Sequence, residues 1–290
     1  MPYVLLIFAV LTWGVSFLVT GEAIASFPFF PFIAIRFTLA AIILQILLKF
    51  SREKKPVQKS DRKKLALLFL AQPIGYFLFE TLGLKFTSAA NVALILSFIP
   101  LITLALEKRF NQEKITPLQK LGILFTLLAT MLFVWYDKRQ ELTFTFWGEL
   151  FALLATLAGC FYMLLSRQLS KSYPSLQLTT YQFTFASLFF LPLSISGFIT
   201  LPSMSLKIVL SLVFLIVFCT ILAFLAVNHA LKNIPSSRAS SLLSLIPMVT
   251  VLGSLCYGKT LDWPHYLFIT FAVAGTWITN RKQKISPPLI

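Results

Sequence analysis

The sequence predicts an all-α integral membrane protein, with ten transmembrane helices arranged as two inverted five-helix repeats. Three observations carry that prediction. Hydrophobic residues make up 58% of the chain and charged residues 12%, with a mean hydropathy of +0.84; a soluble domain has about twice that charge. The apolar residues gather into ten runs near the roughly 20-residue length that a spanning helix needs. Two stretches are also copies of one another. Leu84–Leu106 and Leu231–Gly253 align without a gap, and Leu84, Lys85, Leu96, Ser97, Ile99, Pro100 and Thr103 recur as Leu231, Lys232, Leu243, Ser244, Ile246, Pro247 and Thr250.

The ten runs occupy 2–20, 29–50, 64–84, 87–106, 117–136, 147–166, 175–197, 205–230, 236–257 and 263–280. Ala23-Ile24-Ala25 looks like a signal-peptide cleavage site, but the basic start of such a segment is missing, so the first run reads as a helix. With ten crossings, most of the 25 Lys and Arg fall on one side, and the stretch Lys49–Lys64 alone holds eight. The positive-inside rule then places both termini in the cytoplasm of a bacterial inner membrane. A net charge of +15 could suggest nucleic acid, but the basic residues sit between apolar runs and not on an amphipathic face. The expected surroundings are therefore a lipid bilayer and not nucleic acid.

The runs divide at the Asp137–Phe146 connection into repeats 1–140 and 141–290. Five crossings per half turn the second copy upside down. The fourth and ninth spans then run in opposite directions, bringing Ser97–Pro100 and Ser244–Pro247 to one depth near the midplane. Trp13-Gly14 and Trp147-Gly148 repeat near the start of each half, as do Phe37 and Phe183 after Arg36 and Gln182. Pro100 and Pro247 are expected helix breaks: each removes one backbone donor and frees the carbonyl four residues earlier, on Leu96 or Leu243. In lipid such a group is tolerated only against protein or a water-filled cavity. Twinned broken helices point to a transporter's central site.

These features together resemble the drug/metabolite transporter superfamily, EamA type. The residues that carry the resemblance are Trp13-Gly14, Ile35-Arg36-Phe37, the run from Gly83 to Pro100, Gln112-Glu113-Lys114-Ile115-Thr116, and Ala230 to Pro247. The resemblance implies two inverted repeats around a central cavity built largely from spans 1, 3, 4, 6, 8 and 9, with alternating access by rocking of the repeats. The family usually has Gly-Glu before the last helix of each repeat. The first copy here keeps Glu113, whereas the second has Gly258-Lys259, so no symmetric carboxylate carries over.

Charges inside spans are the sharpest functional signal, because each is costly unless paired or wet. Arg36 lies roughly 10 Å and Glu80 roughly 6 Å below the outer surface at 1.5 Å per residue, which makes an ion pair plausible. Either the pair only lets both charges be buried, or one or both meet a charged substrate. Gln72, Tyr76 and Glu80 are spaced by four and share one face, as a cavity wall or as interhelical hydrogen bonds. Asn91, Ser97, Ser240 and Ser244 are polar positions on the twinned helices, there for close packing or as a polar floor. Trp13, Tyr162 and Tyr181 are the aromatic candidates, because their polar tips want partners, and Gln182 joins them as the counterpart of Arg36. His229 and His265 read as interfacial or capping groups. Cys160, Cys219 and Cys256 read as core fillers, with no disulfide framework or zinc spacing.

The resulting expectation is a secondary carrier of small molecules with neither cofactor nor metal, as a monomer or a homodimer through spans 5 and 10. A cavity with Arg36, Glu80, serines and tyrosines suits a small zwitterion, so amino acids or their derivatives come first, with export favoured over uptake. A larger nucleoside-bearing metabolite such as S-adenosylmethionine is the rival cargo. A membrane-embedded enzyme would need a metal-binding carboxylate pair or a nucleophile with its base, and D-x-x-D, H-E-x-x-H and G-x-S-x-G are absent. A scaffold would leave the duplicated broken helices without a purpose.

Overall fold

The computed structural model describes residues 1–24, 27–110, 115–138, 144–198, 205–258 and 260–281. Ala25, Gln112, Glu113, Lys114, Lys259, Lys282 and Lys284 lie outside the described residues. Every regular element described is helical. In order these are α1 (Pro2–Ile24), α2 (Phe29–Phe50), a 3₁₀ turn (Lys59–Asp61), α3 (Arg62–Phe69), a π-helical turn (Leu70–Gly75) and α4 (Tyr76–Phe86). Next come α5 (Ala89–Leu96), α6 (Ile99–Phe110), α7 (Pro117–Lys138), α8 (Phe146–Ser170), α9 (Ser175–Leu193) and α10 (Ile195–Phe198). The chain continues with α11 (Leu206–Phe214), a second π-helical turn (Leu215–Leu222), α12 (Ala223–Leu231), α13 (Ser236–Leu243), α14 (Ile246–Gly253), a 3₁₀ turn (Ser254–Tyr257) and α15 (Trp263–Asn280).

Helix starts follow local chemistry. Pro28, Pro174 and Pro235 sit at the N-caps of α2, α9 and α13 with extended ψ values of 133°, 144° and 147°. A proline there sacrifices an N–H that has no intrahelical partner anyway. Ser88, Thr145 and Ser205 cap α5, α8 and α11, each side chain accepting a backbone N–H three residues on.

Among the described residues, eight segments are long and apolar enough to cross a membrane: 2–20, 29–50, 59–86, 91–110, 117–137, 146–170, 206–231 and 236–256. The other two long helices, α9 and α15, lie along α2 and α7. Large apolar side chains such as Ile46, Leu128 and Leu188 face outward, as does the ring of Trp277, the surface that a lipid solvent permits.

Packing sorts most of the helices into two groups of four and two pairs. In one group α4, α5 and α6 all lie on α8; in the other α12, α13 and α14 lie on α1. The pairs are α2 with α9 and α7 with α15. The second pair crosses so closely that a Cβ on Gly122 would stand 2.6 Å from the Thr279 backbone nitrogen. Only glycine fits that crossing.

Hydrogen bonds sort the loops into two ends. At one end, Gln177 exchanges both amide groups with the Lys55 backbone, the Tyr173 hydroxyl donates to Asp61, and Arg167 donates to the Leu231 and Lys232 carbonyls. This end carries the basic clusters read in the sequence. At the far end, Lys207 pairs with Glu22 at 3.0 Å, Ser194 donates to the Phe30 carbonyl, Thr145 donates to the Phe86 carbonyl, and His265 meets Asp137 at 3.2 Å.

Candidate functional site

Both copied stretches are broken where the prolines predict. Helix α5 stops at Leu96 and α6 resumes at Ile99; α13 stops at Leu243 and α14 resumes at Ile246. The joint is alike in both: Ser97 has φ −62° and ψ −17°, and Ser244 has φ −67° and ψ −7°. Each serine hydroxyl donates to the carbonyl three residues back, Ser97 to Leu94 at 2.6 Å and Ser244 to Ser241 at 2.8 Å. Ser240 does the same to Ser237. These hydroxyl protons serve their own helices.

A second matched irregularity lies one segment earlier. The π-helical turns Leu70–Gly75 and Leu215–Leu222 occupy corresponding places ahead of the two copied helices. In the first, Gln72 is extended (φ −152°, ψ 130°) just before Pro73. Its carbonyl leaves the helical ladder and accepts a 3.2 Å hydrogen bond from Gln182 Nε2 on α9. In the second, Thr220 Oγ1 accepts a 2.6 Å hydrogen bond from Arg36 Nε on α2. Arg36 and Gln182 thus each reach into one of the two turns, Gln182 to a backbone carbonyl and Arg36 to a side-chain hydroxyl. Between them stands a line of rings: Phe77 lies 5.3 Å from Phe37, Phe37 is 5.2 Å from Phe183, and Phe183 is 4.8 Å from Phe224.

The two reaching groups differ in what they have left over. Gln182 is fully buried and both its polar atoms have protein partners, its Oε1 accepting from Asn228 Nδ2 at 2.9 Å. Asn228 also bonds Thr179 and Ser166, closing a buried polar network. Arg36 is only 6% exposed, and its bond to Thr220 uses Nε alone; among the described residues its two terminal nitrogens have no hydrogen-bond partner. Its guanidinium carbon lies 5.8 Å from the Phe37 ring and 6.0 Å from the Phe77 ring, close enough for a cation–π contribution. Glu80, 9% exposed, takes the Tyr76 hydroxyl on Oε1 at 3.1 Å, and its other oxygen has no such partner among the described residues. No direct ion pair joins Arg36 and Glu80. A buried guanidinium and a buried carboxylate therefore both keep unused hydrogen-bonding capacity. Trp13 closes the same neighbourhood: its indole N–H donates to the Cys219 carbonyl in the second π-helical turn at 2.8 Å, and its ring packs edge-on to Phe224 at 5.1 Å.

Other sequence candidates sit elsewhere. Asn91 is buried, with Nδ2 on Glu149 Oε1 at 3.0 Å, and Thr87 donates to the same carboxylate, so this group lies toward the far end. Tyr162 is buried with its ring 6.0 Å from Phe224, beside the Arg36 neighbourhood. Tyr181 is half-buried and takes a long 3.4 Å hydrogen bond from Gln177, toward the basic end. His265 accepts the Asp262 backbone N–H at the start of α15, a capping role, while His229 is exposed. Cys160 and Cys219 are buried as core residues, but Cys256 is exposed. Among the described residues no group of three or more His, Cys, Asp or Glu side chains is placed to hold a metal ion.

The sequence reading missed Thr220, Asn228, Glu107 and Gln119. Thr220 and Asn228 lie in an overwhelmingly apolar run and carry no local signal. Glu107 had one: it extends the i, i+3, i+7 stripe of Pro100 and Thr103, and all three are buried.

This combination of helices with apolar outer faces, twinned breaks and a charged buried centre defines a membrane transporter. The chain belongs to the EamA-like transporter family, whose model matches it twice, over residues 1–135 and 146–281. It is 29% identical over 265 residues to the uncharacterized transporter YyaM of Bacillus subtilis (strain 168), covering 88% of this chain and 86% of YyaM. An uncharacterized transporter of Archaeoglobus fulgidus is 23% identical over 287 residues, covering 97% and 98%. A solved crystal structure superposes with a TM-score of 0.80 at 18% identity, covering 96% of both chains; that likeness concerns the fold.

Proposed function

We propose that the protein is a secondary carrier of small zwitterions, amino acids or their derivatives, working by alternating access across a bacterial inner membrane. In this reading α9 and α15 also cross, giving ten spans in two inverted repeats, 1–140 and 141–290, with the basic end and both termini in the cytoplasm. The matched π-helical turns, the matched serine–proline joints and the Phe77–Phe37–Phe183–Phe224 line support the inverted duplication. Net export follows where the amino-acid pool is larger inside the cell.

The observation that carries the reading is the buried pair of unspent charges. Burying an ion costs several kcal/mol unless it is compensated, and charged groups inside spans mark substrate paths. The free nitrogens of Arg36 suit a bidentate carboxylate, while Glu80 and the Tyr76 hydroxyl suit an ammonium group. Ser97, Ser240 and Ser244, with the carbonyls freed by Pro100 and Pro247, border this centre as its polar floor. Trp13 and Tyr162 wall it, with Gln72, Gln182, Asn91 and Tyr181 holding the surrounding helices.

A thermal-shift series on purified protein tests the reading, because a ligand that binds only the native state raises apparent stability. The α-amino acids are expected to include at least one stabiliser, which then drives counterflow in liposomes. Stabilisation by S-adenosylmethionine but by no α-amino acid would move the cargo to the larger rival. Counterflow failing with every stabilising compound would remove the carrier assignment.

A further inference from the structure

The two halves of each broken helix keep different company. Toward the basic end, α6 packs directly on α13, and α13 also packs on α8. Toward the far end, α5 packs on α7 and α8, while α14 packs on α1 and α7. The polar contacts follow the same division. At the far end, Thr145 with Phe86 and Asn91 with Glu149 stay within the α4–α5–α6–α8 group, and Lys207 on α11 pairs with Glu22 on α1. At the basic end the contacts cross from one group to the other. Arg167 on α8 binds the last carbonyls of α12, and the Ser236 hydroxyl donates to the Met163 carbonyl on α8.

The strongest crossing is made by Glu107. This carboxylate, on α6, is 0% exposed. Its Oε1 accepts the Ser236 backbone N–H at 2.6 Å, and its Oε2 accepts the Ser237 N–H at 3.1 Å and the Ser237 hydroxyl. Gln119 on α7 adds a 2.9 Å hydrogen bond to the Ser237 hydroxyl oxygen. The first N–H groups of α13 have no partner within their own helix, and the positive end of the helix dipole favours a carboxylate there. The carboxylate accepts three charge-assisted hydrogen bonds from α13, which belongs to the other group.

We propose that Glu107 is the gating residue of the basic end: its carboxylate latches α13 to α6 and is released when the two helix groups part there. The inference rests on the alternating-access reading. While the latch is closed, the route from the central charges to the basic end is sealed, and the groups are parted toward the far end. Opening toward the basic end exchanges three protein hydrogen bonds for water. This biases the resting carrier toward the far-side-open state without touching the central site.

Spin-label distances on the full chain in liposomes test it. One pair, Lys108→Cys with Asn233→Cys in a Cys256→Ser background, spans the basic end at exposed positions. A second pair, Lys85→Cys with native Cys256, spans the far end. Glu107→Gln is expected to raise the ratio of long to short basic-end distances about tenfold, the loss of roughly one charge-assisted hydrogen bond, and to shorten the far-end distance when introduced into the second labelled pair. Ser237→Ala, which leaves the backbone contacts in place, gives a smaller shift of the same sign and serves if Glu107→Gln fails to fold. Unchanged basic-end distances in both variants would overturn the latch. So would lengthening at the basic end with an unaltered far end, which would make Glu107 a local helix cap. Counterflow on the unlabelled wild type is measured beside these; its failure counts against the carrier reading, while the distances alone judge the latch.

Discussion

The two π-helical turns are entered by matching side chains with opposite outcomes. At the first, Gln182 uses its Nε2 on the Gln72 carbonyl and its Oε1 on Asn228, so both polar atoms have protein partners. At the second, Arg36 uses one nitrogen on Thr220 and keeps two. The geometry is shared and the chemistry is not. One half of the molecule has turned this contact into structure, and the other has kept it as a charged group with open valence. That difference is what the proposed binding role of Arg36 and the scaffolding role of Gln182 rest on.

The largest effect expected from breaking the comparison is at Arg36. Arg36→Gln makes the two halves alike, and counterflow should fall roughly ten- to hundredfold, the worth of hydrogen bonds to a charged group, with folded protein recovered at wild-type yield. Glu80→Gln should act in the same direction, lowering transport while leaving folded protein. A wild-type rate in either variant would separate that charge from cargo. The next effect is one of stability. Gln182→Leu leaves the Gln72 carbonyl and the Asn228 amide without this partner, costing about 1–2 kcal/mol, so the melting temperature should drop while substrate affinity holds. An affinity loss at unchanged melting temperature would move Gln182 into the binding site. The smallest effect is at the serine joints. Ser244→Val removes a hydroxyl whose proton is bound to the Ser241 carbonyl, and it should weaken affinity a few-fold with little change in protein yield. The reverse pattern would make this serine a packing residue.

The helical breaks at Pro100 and Pro247 were legible because proline removes a backbone donor wherever it stands. The same rule applied to Pro73, inside an apolar run, and went unused. Spacing by four placed Gln72, Tyr76 and Glu80 on one face; the extended residue at Gln72 breaks that face, and only the Tyr76–Glu80 contact survives. The second π-helical turn contains neither Pro nor Gly, so local sequence does not announce it. Arg36 and Glu80 were visible as intramembrane charges, but their partners were not: Thr220 is distant in sequence, and tertiary packing alone decides that the guanidinium meets a hydroxyl before a carboxylate. Glu107 continues the stripe of Pro100 and Thr103 but stands beside Lys108 and Arg109 near a helix end. Its burial depends on α13 arriving from the other half of the chain. Periodicity and proline chemistry are local, whereas the partner of a buried polar group is a property of the fold.

The central claim is that Arg36 holds the carboxylate of a zwitterionic cargo. The most direct measurement compares thermal stabilisation of the wild type and Arg36→Gln by a stabilising amino acid and by its carboxamide. Wild type stabilised by the acid and not by the amide, with Arg36→Gln stabilised by neither, is the predicted result. Equal stabilisation of wild type by both, or stabilisation of Arg36→Gln by the acid at wild-type concentrations, would contradict it.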